Sequence, residues 1–461
     1  MPRPLPLKEL TREALRAFTR DGSPRWRSTA AVFTSMSALA ATSLLPGPAL
    51  AEPRSELCAL KRTAAHHSEG VDTWNAAYTR PTRALDAVMV FLSFPDSEPQ
   101  TTPAELTADY FPATSDFFER ASYGRFTLRP HPQRDWIRMP HPSTSYAIQR
   151  DWSSAHRAAY LRDALAVADA RVDFSRYDIV HFVADPDAPG VDSDATKVVN
   201  LDTPMRADGK DIRRVVTVFE KHPPDRLVLA HETGHVFDLP DLYHRPVDGK
   251  GDWDTYVGDW DLMGSQFGLA PDLFGWHKWK LGWLDPRQVA CVRGRGSTRL
   301  TLEPLSAGPA TVGEAGAPAS VLRAGSGAGG FSGSGGSGSS SASGARTFGS
   351  GRGTKLAVAR TGPDTVLAFE ARGSAGNDGS TCTQGVLVYR VRSEAESGRG
   401  PIEVLDAHPH SESCWEDSVY PPLADAPVAL GESFTVPGEN VRIEVEDRTA
   451  TGAWTVKITT G

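Results

Sequence analysis

Apolar positions set two rhythms along the chain. Between residues 85 and 285 compact apolar runs alternate with stretches of helical spacing, and beyond 290 short runs suited to strands follow one another. The unbroken run at 87–92 predicts a buried strand that stops at Phe94-Pro95-Asp96. Residues 112–122 and 153–170 have helical periodicity, the second with Tyr160, Leu161, Ala164, Leu165, Val167 and Ala168 as its inner stripe. Strands are predicted at 179–183 and 215–218, the latter placed to present a sheet edge to which an extended peptide can add. A helix over 271–282 follows, with Phe274, Trp279, Leu281 and Trp283 as packing residues.

Beyond it, runs at 298–302, 355–359, 365–371, 385–391, 402–406, 434–436, 441–446 and 454–458 predict an all-β region. Residues 441–446 and 454–458 alternate apolar and polar across a Thr451-Gly452 turn, as a half-exposed hairpin does. Residues 324–353 are nearly all Gly and Ser, too poor in apolar side chains to offset ordering entropy, and read as a flexible insertion with no complete phosphate-binding loop. The expected fold is an α+β domain at 83–290, followed by a sandwich-like all-β domain at 291–461.

At 461 residues the chain is long enough for two such domains. Residues 1–51 carry seven Lys or Arg against three acids and lead into an uncharged run ending at Ala49-Leu50-Ala51, the pattern of a cleaved secretory leader without a stable membrane anchor. Residues 52–82 are polar and read as an N-terminal extension or pro-segment. The whole chain carries −8, and about −12 without the leader, which disfavours nucleic acid and anionic membrane as partners. Four cysteines in an exported chain imply two disulfides. Nearness in sequence pairs Cys382 with Cys414, and elimination pairs Cys58 with Cys291. The rival role for Cys58 is a latency thiolate on a metal.

The chemistry is concentrated at His231-Glu232-Thr233-Gly234-His235. Pro223-Pro224-Asp225 is a helix-start signal with Asp225 as cap, and the apolar lead-in predicts a helix through 237. Histidines four apart lie one turn above each other on one face, so His231 and His235 can share one Zn²⁺. Glu232 is turned off that axis, placed to act as base toward a zinc-bound water. Pro240 stops the helix and lets the chain bring Asp241 back as third ligand, with Asp238 a competitor three residues past His235. Mid-helix Gly234 suggests close approach of another backbone.

From His231 to Tyr243 the sequence resembles the signature of the immune inhibitor A family of secreted zinc metallopeptidases, departing at Asp238, where the family has Gly, and at the following His244, where it has an acid. The segments at 90–96, 122–126, 261–263 and 281–284 extend the likeness over about 85–285, and 369–389 more loosely. The resemblance implies a metzincin-like zincin fold, zinc held by His231, His235 and Asp241, Glu232 as general base, and Met263 in a Met-turn beneath the metal. Asp tolerates the left-handed backbone that Gly supplies at such a helix end, so the turn at 238 is expected to survive.

The expected activity is therefore that of a secreted, monomeric zinc metalloendopeptidase acting on extracellular proteins or peptides. Tyr243, Tyr256 and His244 are the candidates for oxyanion or substrate contacts. Asp252 and Asp254, in the acidic loop 248–261, raise the further possibility of Ca²⁺. The contrasting reading is a secreted binding protein merely stabilised by zinc, for which Glu232 beside two ligands has no use.

Overall fold

The run at 87–92 forms the middle of a ten-residue strand whose last seven residues are all buried, because both faces of its sheet are covered. In the computed structural model residues 54–308 and 353–461 are described, apart from 226, 247–249, 293 and 451. The leader and residues 324–352 of the Gly/Ser insertion lie outside the described residues.

The first sheet contains β1 (Ala84–Ser93), β2 (Thr127–Pro132), β3 (Ile137–Arg138), β4 (Ile179–Ala184), β5 (Lys197–Ala207) and β6 (Lys210–Val218). Its order is β2-β1-β4-β6-β5, with β3 also pairing β1. All neighbours run parallel except β5, which is antiparallel to β6 and forms an edge. The edge thus differs from the sequence expectation: residues 215–218 lie inside the sheet, at the end of β6. Half-exposed β5 mixes Lys197, Asn200, Asp202 and Thr203 with its apolar residues, which blurs its strand signal.

The chain's main helices are α1 (Pro103–Tyr110), α2 (Ala113–Ala121), α3 (Ser154–Ala168), α4 (Val228–Val236) and α5 (Gly275–Leu281). A capping box of Thr102 and Glu105 starts α1, and Ser153 caps α3. Helix α5 begins four residues later than its sequence pattern suggests, since its first amides are met from elsewhere in the fold. Asp261 accepts from the Phe274 N–H at 2.7 Å, and Glu370 from Gly275 at 2.7 Å. No helix among the described residues is long and apolar enough to cross a membrane.

The remaining strands are β7 (Val289–Val292), β8 (Gly296–Leu302), β9 (Leu356–Arg360), β10 (Thr365–Arg372), β11 (Gly385–Arg392), β12 (Ile402–Val404), β13 (Ser433–Thr435), β14 (Val441–Arg448) and β15 (Trp454–Thr460). They make a sheet ordered β12-β11-β10-β9-β7 and another ordered β13-β14-β15-β8. The fold is therefore mixed α/β with several sheets and few helices, an α+β portion followed by a β portion.

Side-chain alternation stacks these sheets in layers. Val88 and Val90 of β1 enter a core beneath α3, whereas Ala87 and Met89 enter the core that holds α2, α4 and α5. That central core continues through Leu356, Val358, Val366, Ala368, Leu387 and Tyr389, and so crosses residue 290 without a break. The alternate residues Ala357, Leu367, Phe369 and Val388 face the four-stranded sheet in a third core. Burial on both faces is why the middle strands read as near-continuous apolar runs and the outer hairpin as alternating ones.

The extension at 54–82 is threaded into this stack. Cys58 is bonded to Cys291, and Cys382 to Cys414, so Cys58 is no free thiolate. Leu60, Ser68 and Glu69 are fully buried. Glu69 lies 2.8 Å from Nε2 of His277, whose Nδ1 lies 3.1 Å from Asp261, with all three side chains sealed from solvent. Burial alone would lower the His277 pKa, but the two carboxylates raise it to about 9. A raised folded-state pKa stabilises fully below the unfolded value of about 6.5, and that stabilisation is lost as pH rises through about 9. Thermal melts are therefore expected to show a loss on the order of 3 kcal/mol across that window, absent in His277→Gln. Equal pH slopes in the two proteins would contradict this role for the imidazolium.

Candidate metal centre

Helix α4 is buried along its whole length. It does not begin on an Asp225 side-chain cap: Leu227 sits in the left-handed region at φ 61°, and the Asp225 carboxylate faces Gln266 at 3.2 Å. The backbone carbonyl of Asp225 accepts from Val228 instead, at 3.3 Å.

At the other end the chain turns at Asp238, with φ 67°, the left-handed conformation expected there. The turn aims the Leu239 carbonyl at Nδ1 of His235 (2.8 Å), and the Leu262 carbonyl meets Nδ1 of His231 (2.9 Å). Carbonyls only accept, so each Nδ1 carries a proton and each Nε2 is left as a ligand lone pair. Both Nε2 atoms face Asp241 Oδ1, at 3.5 Å for His231 and 3.0 Å for His235.

This donor set fits a divalent cation. Three ligand atoms lie within 4.8 Å of one another, and the two distances to Asp241 bracket the roughly 3.3 Å edge of a tetrahedron with bonds of about 2.0–2.1 Å. Burial alone would lower the His235 pKa, yet the Asp241 charge beside it lifts it to about 9. Burial would likewise raise Asp241, but the imidazoles hold it well below the carboxylate range.

Asp241 is itself braced from the β portion. Ser397, in the loop after β11, accepts from the Asp241 N–H (2.8 Å) and donates to its Oδ2 (3.0 Å), while the Gly398 N–H bonds the Asp241 carbonyl (2.9 Å). Ser397 is 156 residues from its partner and carries no local motif, so sequence reading misses it. Asp238 points away from the donor set. Its fully buried carboxylate lies 2.8 Å from Arg62 and 3.0 Å from His67, both in the N-terminal extension.

Glu232 sits in the same cleft, with Oε2 accepting the Val198 N–H of edge strand β5 at 2.6 Å. Its burial raises its pKa, opposed by the neighbouring imidazoles. Met263 is buried under α4, and a Cβ at Gly234 would lie 2.5 Å from its sulfur. The glycine thus makes room for a side chain, where its sequence position suggested an approaching backbone.

Of the three other named residues, Tyr243 lines the cleft, its ring stacked on His231 at 6.3 Å. Its burial, together with Asp241 and Glu232, holds the phenol protonated. His244 and Tyr256 pair with each other (3.2 Å) and are not among the lining residues.

The acidic loop offers no comparable donor set among the described residues: Asp248 lies outside them, and Asp261 is committed to Phe274 and His277. A second cluster, Asp406, His408 and Asp425, lies outside this cleft, with its imidazole held between the Asp425 carbonyl (2.5 Å) and the Glu432 carboxylate (2.8 Å).

Comparison with protein-family models and with curated proteins gives no match. Among solved structures, the chain is similar to OgpA from Akkermansia muciniphila at 12% identity and a TM-score of 0.25, over 84% of this chain and 96% of that one. At that level the likeness fixes neither fold nor activity.

Proposed function

We propose that the chain is a secreted zinc metalloendopeptidase of immune inhibitor A-like type, with a zincin-like catalytic portion. The observation that carries this reading is the convergence of two Nε2 lone pairs and one carboxylate oxygen in a cleft of about 870 Å³ that also holds an unligated, hydrogen-bonded glutamate. A structural metal site has no need of that glutamate or of that open space.

His231, His235 and Asp241 would hold the ion, which when bound supplies Lewis acidity toward water and a substrate carbonyl. Glu232 takes the proton of the attacking water at its carboxylate and returns it to the leaving amine, a transfer suited to a carboxyl whose pKa burial has raised. The Val198 N–H fixes that carboxylate from one side. By the two-residue period of a strand, the Asn200 backbone faces the same way as that of Val198, offering a peptide an antiparallel partner along β5. Tyr243, kept protonated, is the donor assigned to the oxygen of the scissile carbonyl.

The test is cleavage of a peptide library by the chain from residue 52 onward. Cleavage is expected to stop on treatment with a chelator and return on adding Zn²⁺. No cleavage at all, or cleavage indifferent to the chelator, would overturn the reading.

A further inference from the structure

One wall of the cleft has a use not covered by the proposed chemistry. From His231 an aromatic shelf runs outward through Tyr243 to Trp253, whose ring lies 5.4 Å from Tyr243, and ends under the Arg150 guanidinium, 4.6 Å above Trp253. The backbone carbonyl of Arg150 accepts from Lys197 Nζ at 2.6 Å. Lys197 directly precedes Val198, whose N–H is bonded to Glu232, and lines the same cleft.

Neither cation has a carboxylate at ion-pair distance among the described residues. Lys197 is half-buried, and its burial together with nearby Arg157 pushes its pKa down, against the opposing pull of the Glu232 and Asp151 carboxylates. Arg245 lines the same cleft and is paired with Asp151, at 3.0 Å in an exposed pair. Of the acids in the cleft, Glu220 interacts with Thr196 and Asp225, Asp225 with Gln266, and Glu232 with the Val198 N–H, its charge reaching Lys197 without an ion pair. A half-buried ammonium with no carboxylate at contact distance gains when a ligand supplies one there.

We propose that Lys197 and Arg150 form a subsite for a side-chain carboxylate, so that the cleft prefers peptides with Asp or Glu flanking the scissile bond. This rests on the reading of the cleft as a peptide site, but binding tests it apart from cleavage. The ligands are acetylated and amidated fluorescent peptides, so that side chains hold the only carboxylates, in matched Asp/Glu and Asn/Gln sets. They are titrated against the full chain carrying Glu232→Ala, which removes turnover.

Acidic peptides are expected to bind on the order of tenfold more tightly than their neutral isosteres, as one desolvated charge pair allows. The ratio should fall toward unity in Lys197→Met, which keeps the apolar stem, and fall in part in Arg150→Gln, an exposed site where folding is not at stake. Equal affinities for the two sets, or a preference that survives both substitutions, would overturn the proposal. Tight, charge-selective binding by a wild-type chain that cleaves nothing would instead sink the peptidase reading and leave the subsite standing.

Discussion

Glu232→Ala is expected to keep one zinc per chain while cleavage falls by about 10³-fold or more, the scale of a lost general base. The ligands are untouched by the change, since both imidazoles are oriented by the Leu262 and Leu239 carbonyls and Asp241 by Ser397. Alanine also frees the Val198 N–H, so the variant removes a base and an anchor together. Glu232→Gln separates them, because the amide oxygen still accepts from Val198 but takes up no proton. A comparable loss in both variants assigns the effect to proton transfer. Metal content by elemental analysis and single-turnover cleavage of one good peptide measure it, and near-normal turnover in either variant would refute the role.

The second large effect is expected at Asp241, with Asp238 as its contrast. Asp241→Ala removes one of three converging donors and should lower zinc affinity by more than Ser397→Ala, which removes only a supporting hydrogen bond and should cost about tenfold. Asp238→Gly should leave affinity nearly intact. Backbone preference alone makes that glycine look harmless at a left-handed position, but the carboxylate is fully buried between Arg62 and His67. Deleting it strands those partners and should cost about 3 kcal/mol of stability. Competition against a graded chelator reads the affinities and denaturant melts read the stability. Zinc lost from Asp238→Gly and kept by Asp241→Ala would reverse the assignment.

Much of this was legible from residue spacing. His231 and His235 sit one turn apart on a helix, a period that local sequence displays directly, and Pro240 marks the turn that returns Asp241. Apolar runs located β1, β4 and most strands beyond 290, because double-sided burial writes itself as uninterrupted hydrophobicity. Illegible were features set by partners distant in the chain. Ser397 is an ordinary serine until the loop after β11 meets Asp241. The edge role fell to β5 and not to 215–218 because strand order depends on packing, which no single strand encodes. The α5 start depends on carboxylates from Asp261 and Glu370. The Asp225 cap failed for a related reason: its side chain turns to Gln266, and the backbone supplies the first turn.

The brace at Ser397 has a consequence for when the centre becomes competent. A ribosome delivers this chain from its N-terminus, so the two histidines and Asp241 emerge well before the loop that holds Asp241 in place. The central core is likewise unfinished until β9, β10 and β11 have docked. A nascent chain therefore carries the whole metal motif but only a loosely held third ligand, and the geometry tightens once most of the polypeptide has arrived. The β portion is thus the last part needed to complete the donor set, so under the proposed function activity would wait on its docking.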